Sequence, residues 1–84
     1  MEAIVNDELL QRITVDPLVM AGKAVIRGTR IPVDMVVRMV AQGIPEQELL
    51  REYPRLTAQD IRAALTYAAE VVAHEDVFPM PATA

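Results

Sequence analysis

The most regular stretch of the chain alternates apolar and polar positions with the period of an α-helix. Between residues 33 and 41, apolar side chains recur three and four positions apart, which places them on one helix face. Pro32 has a fixed backbone angle that suits the start of a helix, and Gly43 can adopt the left-handed conformation that ends one. The predicted buried stripe consists of Val33, Val36, Val37, Val40 and Ala41, widened by Met35 and Met39. A stripe this wide predicts a central helix that is packed on two sides.

A second, shorter helix is predicted to begin at Pro45. Glu46 and Glu48 fall in its first turn, where the positive end of the helix dipole favours acidic side chains. Its predicted buried side consists of Leu49, Leu50 and Tyr53. Pro54 ends the helix, because the residue before a proline is pushed out of the α-helical region.

The third helix has the clearest start signal in the sequence. Thr57 is placed to cap the helix N-terminus, and Asp60 stands three residues later, where it completes a capping box. Leu56 and Ile61 have the spacing of a hydrophobic staple around this cap. The predicted core stripe is Ile61, Ala64, Leu65, Ala68 and Val72, and the predicted outward positions are Gln59, Arg62, Ala63, Thr66 and Glu70. These signals fix where the helix begins and which face it buries.

The second and third helices form a predicted helix-turn-helix. The connection at positions 54–56 is a turn of about three residues, which is the length that this motif uses. In such a unit the last helix places its N-terminal residues in the major groove of DNA. The spacing of the helices therefore raises nucleic-acid binding as a hypothesis.

A short β-hairpin is predicted ahead of the helices. Residues 12–16 and 23–27 are rich in β-branched side chains, Pro17 ends the first stretch, and Gly22 lies in the connection. An isolated hairpin is only marginally stable, so we expect this one to pack on the helices or to pair with another protomer. Residues 1–11 fit either a helical turn or a lead-in to the first strand.

The whole chain of 84 residues is predicted to be one mainly α-helical domain. Residues 12–73 form its core, and Pro79 and Pro81 mark residues 74–84 as a flexible tail. A domain near this size buries only about 60 to 65% of its unfolded surface. Because 52% of the residues are hydrophobic, some apolar surface should remain uncovered in a monomer. We therefore expect a homodimer or another protein partner.

The charges are distributed unevenly along a chain whose net charge is −4. All eight basic residues lie between positions 12 and 62 together with six acids, whereas the two ends carry six acids and no base. The middle therefore has a formal charge of +2 and the ends together −6. This pattern fits a protein with one basic face that binds a polyanion and an acidic tail that binds a basic partner. A solvated surface of mixed charge explains it equally well.

Several polar side chains are candidates for contacting DNA. Lys23, Arg27 and Arg30 can reach phosphates, although the glycines beside them fit a hairpin turn better than an anion-binding nest. Arg55 and Arg62 flank the start of the third helix, where Gln59 can reach a base edge. Pairing of Arg62 with a surface acid is an equal alternative. The predicted DNA-binding set is Lys23, Arg27, Arg30, Arg55, Thr57, Gln59 and Arg62.

The sequence offers little material for catalysis. It contains no cysteine and no serine, which removes the commonest nucleophiles and all thiolate metal ligands. Its one histidine, His74, stands beside two acids near the end of the chain, where a solvated or helix-capping role is favoured over metal binding. We expect a binding protein without a catalytic site, metal or cofactor. The lack of cysteine, of a signal peptide and of an apolar run long enough for a membrane favours a cytoplasmic protein with no membrane contact.

Several short segments together resemble a known family. They are residues 13–17, 22–23, 26–33, 43, 53–54, 56–57, 60–61 and 64–65. The Ile-Arg-Gly-Thr-Arg-Ile segment followed by Tyr-Pro-x-Leu-Thr is the most specific part, and the resemblance runs from Arg12 to Ala73. The chain resembles domain of unknown function 433. It departs from the pattern at Pro45, where the family usually has a serine that caps the helix.

The resemblance implies a homeodomain-like helix-turn-helix and an antitoxin of a type II toxin-antitoxin pair. The implied partners are operator DNA, bound as a homodimer, and a PIN-like ribonuclease toxin encoded next door, which the C-terminal segment neutralises. In this chain that role would fall to Phe78 as an apolar anchor and to Glu75 and Asp76 opposite a basic or metal-dependent active site. A tail without a role, and a protein-interaction module without affinity for DNA, are the alternatives.

Overall fold

The computed structural model describes residues 8–18 and 20–74. Its strands are β1 (Ile13–Val15) and β2 (Ala24–Ile26), with a short 3-10 turn at Met20–Gly22 between them. Its helices are α1 (Val33–Ala41), α2 (Glu46–Glu52) and α3 (Ala58–Ala73). Residues 8–10 are also helical, in agreement with the helical alternative for the N-terminal segment. The predicted mainly helical fold with a small antiparallel sheet is confirmed.

The hairpin forms in the predicted place and packs on the helices. β1 and β2 are antiparallel, with Ile13 opposite Ile26 and Val15 opposite Ala24. Ile13 and Ile26 belong to the same buried cluster as core residues of all three helices. This packing supplies the support that two short strands lack on their own. The connection turns through two left-handed residues, Ala21 at φ +59° and Gly22 at φ +82°.

Helix α1 follows the sequence pattern except at its C-terminal end. Val33 and Val36 are buried, Pro32 caps the helix in an extended conformation, and Gly43 has the left-handed φ of +87° expected of a helix stop. Ala41, predicted to be buried, is exposed. The prediction was wrong there because Ala41 borders an open hollow between α1 and α3.

Helix α2 is short and is attached to the core mainly through one side chain. Leu49 is 1% exposed, whereas Leu50 and Tyr53 are half-buried. Tyr53 leaves the helical region at φ −125°, ψ 82°, as expected of a residue before proline. The break at Pro54 and the restart at Thr57 are both as predicted.

Helix α3 starts as predicted but is rotated about its axis relative to the prediction. Ala63, assigned to the outward face, is 0% exposed, while Leu65, assigned to the core, is 39% exposed. Val72, also assigned to the core, is 66% exposed. The buried face instead runs through Asp60, Ala63 and Ala64, because small alanine side chains let the helix pack closely in the core and Arg12 balances the Asp60 carboxylate there. A pattern of apolar positions cannot show that a polar residue lies on the buried face.

The core is one cluster shared by the hairpin and the three helices. It consists of Leu9, Ile13, Ile26, Val33, Val36, Leu49, Leu56, Ile61, Ala63 and Ala64. Leu56 and Ile61, the predicted staple, are both in it. Within the described part of the chain, no helix combines the length and the apolarity needed to cross a membrane.

Candidate nucleic-acid interface

The segment Ile26–Ile31 forms a closed loop, which we call the arginine loop. The Ile26 carbonyl accepts hydrogen bonds from the Thr29 backbone N–H at 3.0 Å and from the Thr29 hydroxyl at 2.7 Å. The same hydroxyl accepts from the Ile31 N–H at 2.9 Å, and the Ile26 N–H donates to the Ile31 carbonyl at 2.9 Å. Gly28 supplies the left-handed φ of +79° that the turn needs. These bonds identify the loop as a tight turn, and they hold Arg27 and Arg30 exposed on it.

Two arginines attach this loop to its surroundings. The Arg55 Nη2 atom donates to the Gly28 carbonyl at 3.0 Å, which connects the loop to the turn between α2 and α3. The Arg27 Nε atom donates to the Gln11 carbonyl at 2.6 Å. A guanidinium carries five N–H donors, so one contact with the backbone leaves others for an anion. The loop is therefore held next to the start of α3 by side chains that still present positive charge.

The start of α3 is fixed by a network around a buried carboxylate. Thr57 and Asp60 form the predicted capping box: the Thr57 hydroxyl accepts from the Asp60 N–H at 3.1 Å, and Asp60 Oδ2 accepts from the Thr57 N–H at 3.0 Å. The other oxygen, Oδ1, accepts from Arg12 Nη1 at 3.2 Å. Asp60 is 6% exposed, so Arg12 balances a charge that water does not reach.

Arg12 was missed by sequence reasoning. It lies 48 residues from Asp60, and nothing in its own neighbourhood indicates the contact. The available signal was the capping-box acid itself: a carboxylate on a helix face next to Ile61 and Ala64 needs a cation if that face is buried. The sequence did not specify which of the eight basic residues would supply it.

Five arginines and two carboxylates line three adjoining hollows on this side of the molecule. The first hollow is lined by Glu8, Gln11, Arg12, Arg27 and Asp60, the second by Glu8, Leu9, Arg12, Gln59 and Arg62, and the third by Gly28, Thr29, Arg30, Ile31 and Arg55. The first two share Glu8 and Arg12, and the first and the third both include residues of the arginine loop. We call the five guanidiniums, Arg12, Arg27, Arg30, Arg55 and Arg62, the basic strip. With its two carboxylates its formal charge is +3.

Six of the seven predicted DNA-binding residues lie on or beside the basic strip. Gln59 and Arg62 are exposed in the first turns of α3, as expected of side chains that face a ligand. The hydroxyl of Thr57 is engaged in the helix cap, so its contribution is to position the helix. Lys23 lies elsewhere: it pairs with Asp34 at 3.3 Å and lines a different hollow, beside α1. The predicted partner-binding residues Glu75, Asp76 and Phe78 lie outside the described residues.

The described residues show no arrangement suited to holding a metal. Among residues 8–18 and 20–74, no group of three or more histidine, cysteine or acidic side chains comes together as a candidate metal site. His74 pairs with Glu70 of the same helix, with 3.4 Å between its Nε2 atom and the carboxylate. The guanidiniums of the basic strip can donate hydrogen bonds to an anion.

Comparison with known proteins places this arrangement in a family. The family model described as "protein of unknown function (DUF433)" matches residues 13–68, which include the hairpin, the arginine loop and the first two-thirds of α3. An uncharacterized protein, y4eO, of Sinorhizobium fredii (strain NGR234) is 41% identical over 56 residues, which are 67% of this chain and 25% of that protein. The match thus spans about a quarter of this relative's length. An uncharacterized protein of Archaeoglobus fulgidus is 60% identical over 30 residues, 36% of this chain and 83% of that protein.

A solved structure has the same fold. The crystal structure of a DUF433 member protein from Anabaena variabilis superposes with a TM-score of 0.68 at 42% sequence identity. The superposition covers 86% of this chain and 72% of that one. The family match over two-thirds of the sequence and this structural match agree, and the chain belongs to the DUF433 family of proteins of unknown function.

Proposed function

We propose that this protein is an antitoxin-like autoregulator, a binding protein and not an enzyme, which contacts operator DNA through the basic strip and pairs with a PIN-like ribonuclease toxin. The observation that carries the DNA contact is the convergence of five arginines around the N-terminus of α3 in a chain whose net charge is −4. A polyanion is the class of ligand that such a local excess of positive charge attracts.

In this proposal α1, α2 and α3 act as a homeodomain-like three-helix unit. α2, the connection at residues 53–57 and α3 follow one another in the order of a helix-turn-helix, and this connection of five residues is longer than the three or four that the motif commonly uses. α3 then lies in the major groove, with Gln59 at a base edge and Arg62 at a base or a phosphate. The arginine loop lies beside this helix and contacts the DNA backbone with Arg27 and Arg30. Backbone contacts set the register of the helix, and Gln59 supplies sequence preference.

The Arg12–Asp60 pair has a positioning role in this proposal. Arg12 lies between the helical segment 8–10 and β1, and its bond to Asp60 connects this part of the chain to the first turn of α3. The bond therefore helps to hold the hairpin in one orientation relative to the proposed recognition helix. Because the Asp60 carboxylate is paired with Arg12 and accepts the Thr57 N–H, it repels a nearby phosphate less than an unpaired carboxylate would.

A salt titration of DNA binding tests the proposal. For each phosphate that the protein neutralises, the logarithm of the binding constant should fall with the logarithm of salt concentration at a slope of about −0.9. Replacing Arg30 and Arg62 with alanine should weaken binding to the upstream DNA and make the slope shallower by about 1.8 if both arginines contact phosphates. Fluorescence anisotropy with labelled upstream DNA measures both quantities.

Arg51 provides a matched control for this experiment. It is an exposed arginine in the last turn of α2 that lines none of the three hollows of the basic strip. Arg51→Ala removes the same charge and should leave the slope and the affinity close to those of the parent. Failure of the parent to bind at low salt, or equal effects of Arg51→Ala and Arg62→Ala, would rule out the strip as the DNA contact.

The pairing with a toxin rests on family resemblance and on the composition of the chain end. Phe78 is proposed as an apolar anchor, and Glu75 and Asp76 as acids facing a basic or metal-dependent active site. Co-expression with the protein encoded next door should give a stable complex that Phe78→Ala weakens. A complex of undiminished stability in that variant would move the toxin contact to another part of the chain.

A protein-interaction module without affinity for DNA is the second candidate function. Its support is the acidic balance of the whole chain together with the exposed apolar side chains on α3. A stable complex with the neighbouring gene product, combined with no DNA binding at low salt, would favour this function over the first.

A further inference from the structure

An apolar groove lies between α1 and the C-terminal half of α3. It is a hollow of about 430 Å³, and Val37 and Ala41 of α1 line it on one side, opposite Tyr67, Val71 and Val72 of α3. Val71 and Val72 are 43% and 66% exposed. Among residues 8–18 and 20–74, no side chain covers this apolar surface.

The charges at the edge of this groove have both signs and are arranged in a row. Asp34 lies between Lys23 at 3.3 Å and Arg38 at 3.8 Å. Asp34, Val37, Arg38 and Ala41 fall at i, i+3, i+4 and i+7, so they form one exposed edge of α1. Asp34 would repel a purely acidic partner, and Lys23 and Arg38 would repel a purely basic one.

This edge is complementary to itself. If two copies of α1 pack antiparallel about a two-fold axis near Val37, Asp34 of each copy faces Arg38 of the other, and Val37 faces its own counterpart. A two-fold interface uses the same patch on both partners, so every favourable contact occurs twice. Val71 and Val72 line the groove and are exposed, so in the same arrangement the second copy can bury them against its own groove.

We propose that the groove between α1 and α3 is a self-association surface whose occupant is a second copy of this chain. In this dimer, α1 and α3 of the two copies pack together as one layer of four helices. The inference stands apart from the proposed DNA contact, because it uses the opposite end of α3. Arg62 of the basic strip and Val71 of the groove are nine residues apart, about 13 Å along the helix. No residue of the basic strip lines the groove.

The mass of the full chain in solution, by sedimentation equilibrium over a range of concentrations, tests the surface. The parent should be a dimer, and Val71→Glu should be a monomer with an unchanged circular dichroism spectrum, since Val71 is already half-exposed. Leu18→Glu is the matched control: Leu18 is an apolar side chain, 93% exposed, that lies outside the groove, and its replacement should leave the dimer intact.

A charge exchange tests the two-fold pairing itself. Asp34→Arg places two arginines opposite each other across the axis, and Arg38→Asp places two acids there, so each variant alone should shift toward monomer. An equimolar mixture of the two should form a dimer again, because each arginine then faces an acid of the other variant. A parent that is monomeric at every concentration, a Val71→Glu variant that stays dimeric, or a mixture that stays monomeric would each overturn the proposal. None of these outcomes decides whether the basic strip contacts DNA, which the anisotropy titration measures separately.

Discussion

Leu49→Ala is expected to lower the free energy of unfolding by about 2–5 kcal/mol, which is the usual range for removing a buried leucine side chain. Leu49 is 1% exposed and is the side chain through which α2 reaches the core. A domain of this length has a total stability of about 4–13 kcal/mol, so the loss is a large fraction of it. Urea denaturation followed by circular dichroism measures the change.

Leu50 is the control for this substitution. It is adjacent in the same helix but only half-buried, and Leu50→Ala should cost clearly less, about 1 kcal/mol. Equal losses from the two variants would show that α2 is attached to the core differently from the arrangement described. The comparison also bears on function, because α2 supports the turn that carries Arg55.

Asp60→Ala is expected to cost about 2–3 kcal/mol of stability. The substitution removes the acceptor for the Thr57 N–H and for Arg12 Nη1. The Thr57 hydroxyl keeps its bond to the backbone N–H of residue 60, but the Thr57 N–H loses its acceptor, which costs about 1 kcal/mol. Loss of the charge-assisted bond to Arg12 adds about as much again. The Arg12 side chain is 44% exposed, so water takes over part of its interaction and the second contribution stays modest. Thermal and urea unfolding measure the total.

A double-mutant cycle separates the two contributions. Asp60→Ala, Arg12→Ala and the double variant should show a coupling energy of about 0.5–1.5 kcal/mol, because the two side chains are in direct contact. Gln59→Ala, an exposed neighbour in the same turn, should change stability by less than about 0.5 kcal/mol. Additive effects of the two single substitutions would mean that the ion pair contributes nothing beyond the cap.

Local chemistry explains why the boundaries of the elements could be predicted. Pro45, Pro54 and Gly43 act through their own backbones, and the Thr57 cap involves residues three apart, so neighbouring residues contain all the information. The hairpin followed from two β-branched stretches on either side of Gly22. Each of these features depends on short-range interactions that the sequence displays directly.

The rotation of α3 and the composition of the strip could not be predicted in the same way. Counting apolar residues placed Leu65 inside and Ala63 outside, whereas the face of α3 that packs in the core runs through Asp60, Ala63 and Ala64. Lys23 is close in sequence to Arg27, yet it pairs with α1 on another surface. Both outcomes depend on contacts between residues that are far apart along the chain, which periodicity does not encode.

The hydrogen bonds of the arginine loop explain why the Ile-Arg-Gly-Thr-Arg-Ile segment contains a glycine and a threonine. Gly28 is required for a left-handed turn, and the Thr29 hydroxyl both donates to Ile26 and accepts from Ile31. The sequence alone suggested a turn with basic residues. The structure adds that Arg55, from the turn before α3, holds the loop beside the proposed recognition helix.

The central claim is that DNA binds on the basic strip, and amide NMR spectra of the labelled protein during a titration with the upstream DNA test it most directly. The account predicts that shift changes concentrate at residue 12, at residues 27–30 and at residues 55–62, while Lys23 and Arg38 beside the α1–α3 groove change little. Changes confined to that groove, or no change at low salt, would contradict it.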